Sequence, residues 1–418
     1  MNNQYDVLIA GGGMVGGSLA CALGGSGLRV GVLEPQAAGV TEQGPAPRGS
    51  AITLASQTVF ENVGAWAGMC AQRATAMDGG SAENAGAVFL PSPVEAMRIW
   101  EDSSILNFDS ADIGEPCLAW IIENSVIVAA LAGRMGQFPD IEVLSPARLA
   151  TAQFGDQRVN VQLEDGRELQ TRLLVGADGA DSRVRRAAGI GWTRHDLGQS
   201  AMVAQVQTER PHARTAWQHF LPSGPLAFLP LADPRQVSMV WSADTARCVE
   251  LMHLDATAFN AELQAAFGDH LGRVQLASER AAIPLALGFA RDYSAQRVAL
   301  IGDAAHTVHP LAGQGVNLGI LDAATLAEIL LTAAGQKRDL GAHALLRRYE
   351  RARKGADVGM QAVTGGFRYL FGSGLPGLRA LRAAGLRITE QLPPLKDYFM
   401  RRASGLEGEL PRLAQRVQ

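Results

Sequence analysis

The run Tyr5 to Ala10, apolar from Val7 onward, leads directly into G-x-G-x-x-G, with Gly11, Gly13 and Gly16 as its glycines, and this order confines the N-terminal part to a strand–turn–helix. The run reads as a buried parallel strand, the small-residue stretch Gly16 to Gly25 as the helix packed on it, and Leu28 to Leu33 as a second strand. Each glycine answers a physical need. Gly11 permits a tight turn, Gly13 lets a pyrophosphate reach the backbone, and Gly16 lets helix and strand pack closely. The helix start offers partial positive charge to a phosphate, and Met14 and Val15, just before it, are further candidates for holding the cofactor. Glu34 closes the second strand 18 residues after Gly16. A carboxylate there accepts ribose hydroxyls and repels a 2′-phosphate, so the spacing favours FAD over NADP.

A second glycine-rich island, GDAAHTVHPLAGQGVNLG from Gly302 to Gly319, follows the short apolar strand Arg297 to Ile301. Asp303 can accept from a ribityl hydroxyl. The turn Gly313-Gln314-Gly315, continuing into Val316 and Asn317, can bring peptide N–H groups and a helix N-terminus to the edge of an isoalloxazine, where reduction places negative charge. Asp303, His306 and His309 also compose an iron-type ligand set. The flavin reading is preferred because it uses both glycine islands, and a lone histidine beside a strand end commonly satisfies backbone groups. A third island, Gly176 to Arg183 around Asp178, follows the strand Leu173 to Val175. On local grounds it is an Asp-Gly turn capping a helix near Ser182.

With 418 residues, 47% of them hydrophobic, the chain can bury a large core and is expected to divide into two domains rather than remain disordered. Cys21, Cys70, Cys117 and Cys248 are too widely spaced for a metal knuckle or a compact disulfide framework, which fits a reducing, cytoplasmic compartment. The first strand starts too early for a secretion signal, and the absence of an uninterrupted apolar run of 18 residues argues against a spanning helix. The net charge of −4 conceals an asymmetry: from Lys337 onward 16 basic against 7 acidic residues give +9, leaving −13 for the first 336. Solvated helix faces explain such a cap, as does attraction to an anionic membrane. Nothing points to nucleic acid.

Along the rest of the chain, Pro35 to Pro47 is a loop ending at Arg48, Ser56 to Trp66 a helix, and Ala74 to Gly86 a mobile surface insertion. Val159 to Leu163 and Glu168 to Val175 read as strands around the turn Asp165-Gly166. Leu226 to Leu231 and Val237 to Trp241 read as antiparallel strands of a second domain, and Gly315 to Leu331 and Ala342 to Lys354 as helices. Phe220, Leu226, Phe228 and Trp241 are either the lining of an apolar substrate cavity or ordinary sheet core, two readings of equal weight.

The three islands, in this order, resemble the class A flavoprotein aromatic hydroxylases. DVLIAGGGMVGGSLA, MRIWEDSSILNFD, AWIIENSVI, GPLAFLPLADP, RVALIGDAAHTVHPLAGQGVNLG and LRRYERARK are similar to the ubiquinone-biosynthesis hydroxylases of the UbiH/UbiF/VisC group, across essentially the whole chain. Within it, ENSVI, LRRYERARK and GFRYLF look most like the VisC type, which hydroxylates a 2-polyprenylphenol on the ring. The resemblance implies an α/β architecture of the p-hydroxybenzoate hydroxylase fold. A Rossmann-like FAD domain with a parallel sheet (1–75, 100–185, 285–340) would be joined by a smaller antiparallel-sheet substrate domain (76–99, 186–284) and C-terminal helices (341–418).

It implies that Gly11, Gly13, Gly16 and Glu34 hold the ADP half of FAD, with Arg48 near the pyrophosphate or flavin. Asp178 would belong to a box serving FAD, with NAD(P)H as a second candidate ligand. Gly302 and Asp303 would hold the ribityl chain, and Gly313 to Asn317 the ring. It further implies that NAD(P)H reduces FAD, dioxygen adds at flavin C4a, and the hydroperoxide's terminal oxygen attacks a phenol ring. Backbone around Pro310, Gly313 and Gln314 then does the polarising, since no side chain stands out as acid or base. Ser125 and Val128 depart from the Arg and Gln of many relatives. A soluble aromatic acid as substrate, or a low-turnover flavin-bearing scaffold, are the competing readings. A polyprenyl substrate implies access to the bilayer or to other ubiquinone-biosynthesis proteins. Arg379, Arg382, Arg387, Arg401 and Arg402, interleaved with Leu378, Leu381, Leu386 and Phe399, are the expected membrane- or partner-facing surface.

Overall fold

The computed structural model describes residues 3–36, 49–77, 91–102, 104–308, 315–355, 385 and 389–416. The strand Gln4–Ala10 is apolar on both faces because it is central: it lies between Val30–Leu33 and Glu168–Gly176, parallel to both. Val298–Leu300 extends this sheet beyond Glu168–Gly176, and Ile141–Leu144 extends it beyond Val30–Leu33, again in parallel. The carboxyl ends are in register, with Ala10 beside Leu33 and Gly176, and Gly176 beside Leu300. An antiparallel hairpin, Leu149–Phe154 and Val159–Leu163, is appended to Glu168–Gly176. The helices Met14–Leu23, Asn124–Met135 and Gly315–Gly335 join the sheet in one core that includes Leu8, Ile9, Leu19, Leu131, Leu326 and Leu330.

The helix expected from Gly16 starts two residues earlier, at Met14, because Gly13 already serves as its N-cap. The helix expected over Ser56 to Trp66 is two helices, Leu54–Asn62 and Trp66–Met77, separated by a turn at Val63-Gly64. Residues 74–77 of the expected insertion are the last of the second helix; 78–86 lie outside the described residues.

The second sheet is nine-stranded. Its long central strand, Trp192–Thr208, pairs antiparallel with Ala281–Ala290 and Gln236–Asp244; Gly224–Pro230 and Thr215–Leu221 follow. The expected pairing of 226–231 with 237–241 is present, with Leu226 opposite Trp241. One face of this sheet is sealed by the helix Ala256–Phe267 through Phe259, Leu263 and Phe267. The opposite face meets a three-stranded sheet of Gly49–Thr53, Ala119–Glu123 and Ser92–Val94, where Ala51, Val94 and Ile121 pack on Ala216 and Leu229.

One helix among the described residues, Gly315–Gly335, is long and apolar enough by composition to cross a membrane. Here it is a core element: Ile320, Ala323, Leu326, Ala327 and Leu330 are fully buried in the nucleotide domain.

Candidate FAD site

The parallel strands end side by side, which is where an open α/β sheet forms its ligand crevice. Gly11 has φ +105°, and a Cβ there would lie 2.3 Å from the Ala177 carbonyl oxygen. Only glycine permits both the turn and the approach. A Cβ on Gly16 would sit 1.9 Å from the Gly11 carbonyl oxygen, so the first helical turn rests directly on the turn that precedes it. Gly13 contrasts with both: nothing lies within 4 Å of a Cβ built there. That space lies at the helix N-terminus, where a pyrophosphate would take the N–H groups. Glu34 closes the other side, accepting from Gly12 N–H at 3.1 Å and from Gln36 N–H at 3.0 Å. Each carboxylate oxygen retains acceptor capacity for a ribose hydroxyl.

The two glycine islands, about 290 positions apart in the chain, touch. Val15 packs on Gly302 and Gly319, where added Cβ atoms would lie 3.1 Å and 2.6 Å from its Cγ2. The helices Met14–Leu23 and Gly315–Gly335 therefore cross closely at their starts, through Val15 and Gly319, with Gly302 in the contact. Asp303 follows on a short helical turn, exposed to the groove, yet burial by the surrounding protein pushes its carboxyl above the usual range, opposed by the charge of His306.

Asn317 is buried and crosslinks two elements: its amide donates to the Ala51 carbonyl at 2.7 Å, and its Oδ1 accepts from Thr53 N–H at 2.9 Å. Gly315 and Val316 open the same helix. The sequence brings Gly11, Gly13, Met14, Val15, Gly16, Gly302, Gly315, Val316 and Asn317 to the facing ends of two helices. Arg48, His309, Pro310, Gly313 and Gln314 lie outside the described residues, as do Arg379, Arg382 and Arg387.

Asp178 is beside the Gly11 turn, but its carboxylate is engaged locally. It accepts from Ser182 Oγ at 2.5 Å, Arg183 N–H at 2.7 Å and Val184 N–H at 3.2 Å, and so caps the helix Arg183–Ala187. The buried Arg185 of that helix donates to the Ala180 and Ala304 carbonyls and stacks over Trp192, which joins the Asp178 segment to the Asp303 turn.

Sequence reasoning missed Asp322 and Arg353. Asp322 is fully buried on the long helix; its Oδ2 accepts from Gly302 N–H at 3.0 Å and lies 2.6 Å from His306 Nε2, while its Oδ1 accepts from Arg353 Nε at 2.7 Å. Burial alone would raise this carboxyl, but the charges and hydrogen bonds of His306 and Arg353 hold it low, at about 2. The available signal was an aspartate inside the otherwise apolar LGILDAA, at the first turns of the helix. His306 is thus committed to a carboxylate and to the core, and among the described residues no group of His, Cys, Asp and Glu could hold a metal.

Phe228 and Leu226 are fully buried, and Trp241 nearly so, beneath the helix Ala256–Phe267, with Phe228 stacked on Phe267 at 4.1 Å between ring centroids. Of the two readings of these residues, the packing matches sheet core. Phe220 is half-buried toward the end of its strand.

The donor set therefore fits an FAD: an open phosphate cradle, a ribose-level carboxylate, and an acid at the groove between the helix starts. Residues 4–365 match the FAD binding domain family. The chain is 38% identical to a ubiquinone hydroxylase, UbiL, from Rhodospirillum rubrum, over 99% of this chain and 93% of that protein. It is 34% identical to the Escherichia coli 3-demethoxyubiquinol 3-hydroxylase, over 97% of this chain and all of the other. It is also 34% identical to the human mitochondrial ubiquinone biosynthesis monooxygenase COQ6, over 96% and 92%. Among solved structures, PqsL of Pseudomonas aeruginosa, a probable FAD-dependent monooxygenase, shares the fold with TM-score 0.75 at 24% identity, over 93% of this chain and 100% of that one. The p-nitrophenol 4-monooxygenase PnpA of Pseudomonas putida does so with TM-score 0.76 at 18% identity, over 98% and 99%. The chain belongs to the FAD-binding-domain family, and it is an FAD-dependent monooxygenase of the ubiquinone-hydroxylase group.

Proposed function

We propose that this enzyme hydroxylates the aromatic ring of a polyprenylphenol intermediate of ubiquinone biosynthesis. The observation that carries the reading is full-length similarity to ubiquinone hydroxylases, combined with a phosphate cradle and a groove acid built as such a cofactor requires. When bound and reduced by NAD(P)H, FAD supplies the activation of dioxygen for transfer of one oxygen atom to the ring. The chain's own contribution is to bind, orient and desolvate. Gly11, Gly13, Gly16 and Glu34 hold the ADP half, Asp303 the ribityl chain, and Gly313 to Asn317 the ring, with Arg48 near the pyrophosphate and backbone around Pro310 polarising the reacting oxygen.

The same reading places the enzyme at a lipid surface. Ile105, Leu392, Tyr398 and Phe399 are exposed. Their two segments are joined through Asn107 N–H to Glu390 at 2.9 Å and Arg401 to the Ile113 carbonyl at 3.2 Å. Arg402 flanks Tyr398 and Phe399, whereas Arg412 and Arg416 are taken up by Glu328 and Glu115. Flotation with anionic vesicles should be lost on Tyr398→Glu with Phe399→Glu; flotation equal to wild type refutes the surface. For the reaction, expression in cells lacking the ring hydroxylase should restore ubiquinone, read by mass spectrometry, while Asp303→Ala should not. A flavin-loaded protein that restores none would redirect the assignment to a soluble aromatic acid or to a low-turnover flavin-bearing scaffold.

A further inference from the structure

The group Asp322, His306 and Arg353 is unusual on energetic grounds. All three side chains are almost completely buried, at 0%, 1% and 4% exposure, although an ion pair at such depth is often no more stabilising than apolar side chains of the same volume. A buried group of this kind suggests a task, and the contacts name one. Asp322 stands on the helix Gly315–Gly335, Gly302 begins the turn that presents Asp303, and His306 lies in the short strand His306–Thr307. That strand pairs with Gly288 and Phe289 of the second sheet. Arg353 comes from the helical stretch 343–355 and also donates to the Leu318 carbonyl at 3.3 Å. One carboxylate thereby joins the nucleotide turn, the link to the second sheet and the C-terminal helical region.

We propose that Asp322 and Arg353 are positioning residues for the flavin, fixing the Gly302–His306 turn and holding the charge beneath it in balance. Three donors converge on the two oxygens of Asp322: Gly302 N–H, Arg353 Nε–H and, with Asp322 a carboxylate, His306 Nε2–H. An asparagine has one acceptor oxygen and one NH2 group, so in either orientation it turns a donor toward a donor. The charges act separately from the contacts. Alone, the Asp322 carboxylate disfavours a reduced, anionic flavin, whereas Arg353 and the His306 imidazole beside it favour one, and the carboxylate offsets them.

Single variants should therefore share one effect and oppose each other in another. Asp322→Asn and Arg353→Met should each weaken FAD binding roughly tenfold, the effect of leaving buried hydrogen-bonding groups unpaired. The two-electron potential of the bound flavin, measured by dye equilibration, should rise in Asp322→Asn and fall in Arg353→Met. Arg353→Lys should keep the wild-type potential while binding FAD more weakly. The double variant, with neither charge unpaired, should return toward the wild-type potential and provides the test if a single variant does not fold. Potentials that shift in the same direction in both single variants, or a double variant displaced as far as either, would overturn the proposal and leave a purely structural role.

Discussion

Gly13 and Gly16 stand three residues apart, yet the structure assigns them opposite sensitivities. An alanine at Gly16 would place its Cβ 1.9 Å from the Gly11 carbonyl oxygen and 3.1 Å from the Ala177 Cβ. Ordinary contact begins near 3.4 Å, so helix and turn must separate by more than an ångström. Both colliding groups are tied to backbone and cannot rotate away. Overpacking of this kind destabilises by about 1–3 kcal/mol, and the rigidity puts Gly16→Ala at the upper end. An alanine at Gly13 meets nothing within 4 Å, and the position is an extended N-cap that any residue can adopt. Gly13→Ala should therefore leave the apoprotein's stability within about 0.5 kcal/mol, typical of an exposed substitution. It should nonetheless weaken FAD binding by tenfold or more, since the methyl occupies the space assigned to pyrophosphate; a tenfold change is about 1.4 kcal/mol. Urea denaturation of the apoprotein and fluorescence titration with FAD separate the two effects. A Gly13→Ala protein with wild-type FAD affinity would refute the cradle, and a Gly16→Ala apoprotein as stable as wild type would refute the packing argument.

Glu34→Ala removes the acceptor for Gly12 N–H and Gln36 N–H and should lower FAD affinity roughly tenfold in the same titration, as expected for a charged acceptor. Asp303→Asn should weaken FAD binding in the same titration, because an amide accepts from a ribityl hydroxyl less strongly than a carboxylate; wild-type affinity contradicts this. Asp322 contributes to stability through its own ionisation. Its folded-state pKa lies below the unfolded value of about 4, so its contribution is full above that pH and is lost as pH falls toward about 2. Acid titration of stability should be flatter for Asp322→Asn over that window. Phe228→Ala should cost about 3–5 kcal/mol in denaturation with an unchanged KM, whereas a raised KM in a stable protein would make Phe228 a substrate contact.

What could be read in the sequence was local or periodic. The G-x-G-x-x-G unit with Glu34, the strand pair 226–231 and 237–241, and the helix from Gly315 each carry their own spacing, and each appears where that spacing put it. Less local information failed in identifiable ways. Alternation along 224–230 and 236–244 separates two faces without saying which one a helix will cover, and that choice sent Leu226, Phe228 and Trp241 into the core. Asp178 showed both a motif match and a capping pattern, and its side chain makes the caps. The Asp322–Arg353 pair is a tertiary fact between two helices, and only the oddity of an aspartate in an apolar stretch hinted at it. The basic tail was visible as composition, but the pairing of Arg416 with Glu115, 301 positions away, depends on the fold.

The central claim is that this flavin groove delivers one oxygen atom to a lipid-linked phenol ring. Its most direct test is turnover of the purified, FAD-loaded protein with NAD(P)H, isotopically heavy dioxygen and a short-chain 2-polyprenylphenol. One heavy oxygen atom in the ring for each NAD(P)H consumed is the predicted result. NAD(P)H oxidation that yields only hydrogen peroxide and unchanged phenol, with hydroxylation of a soluble aromatic acid in its place, would contradict it.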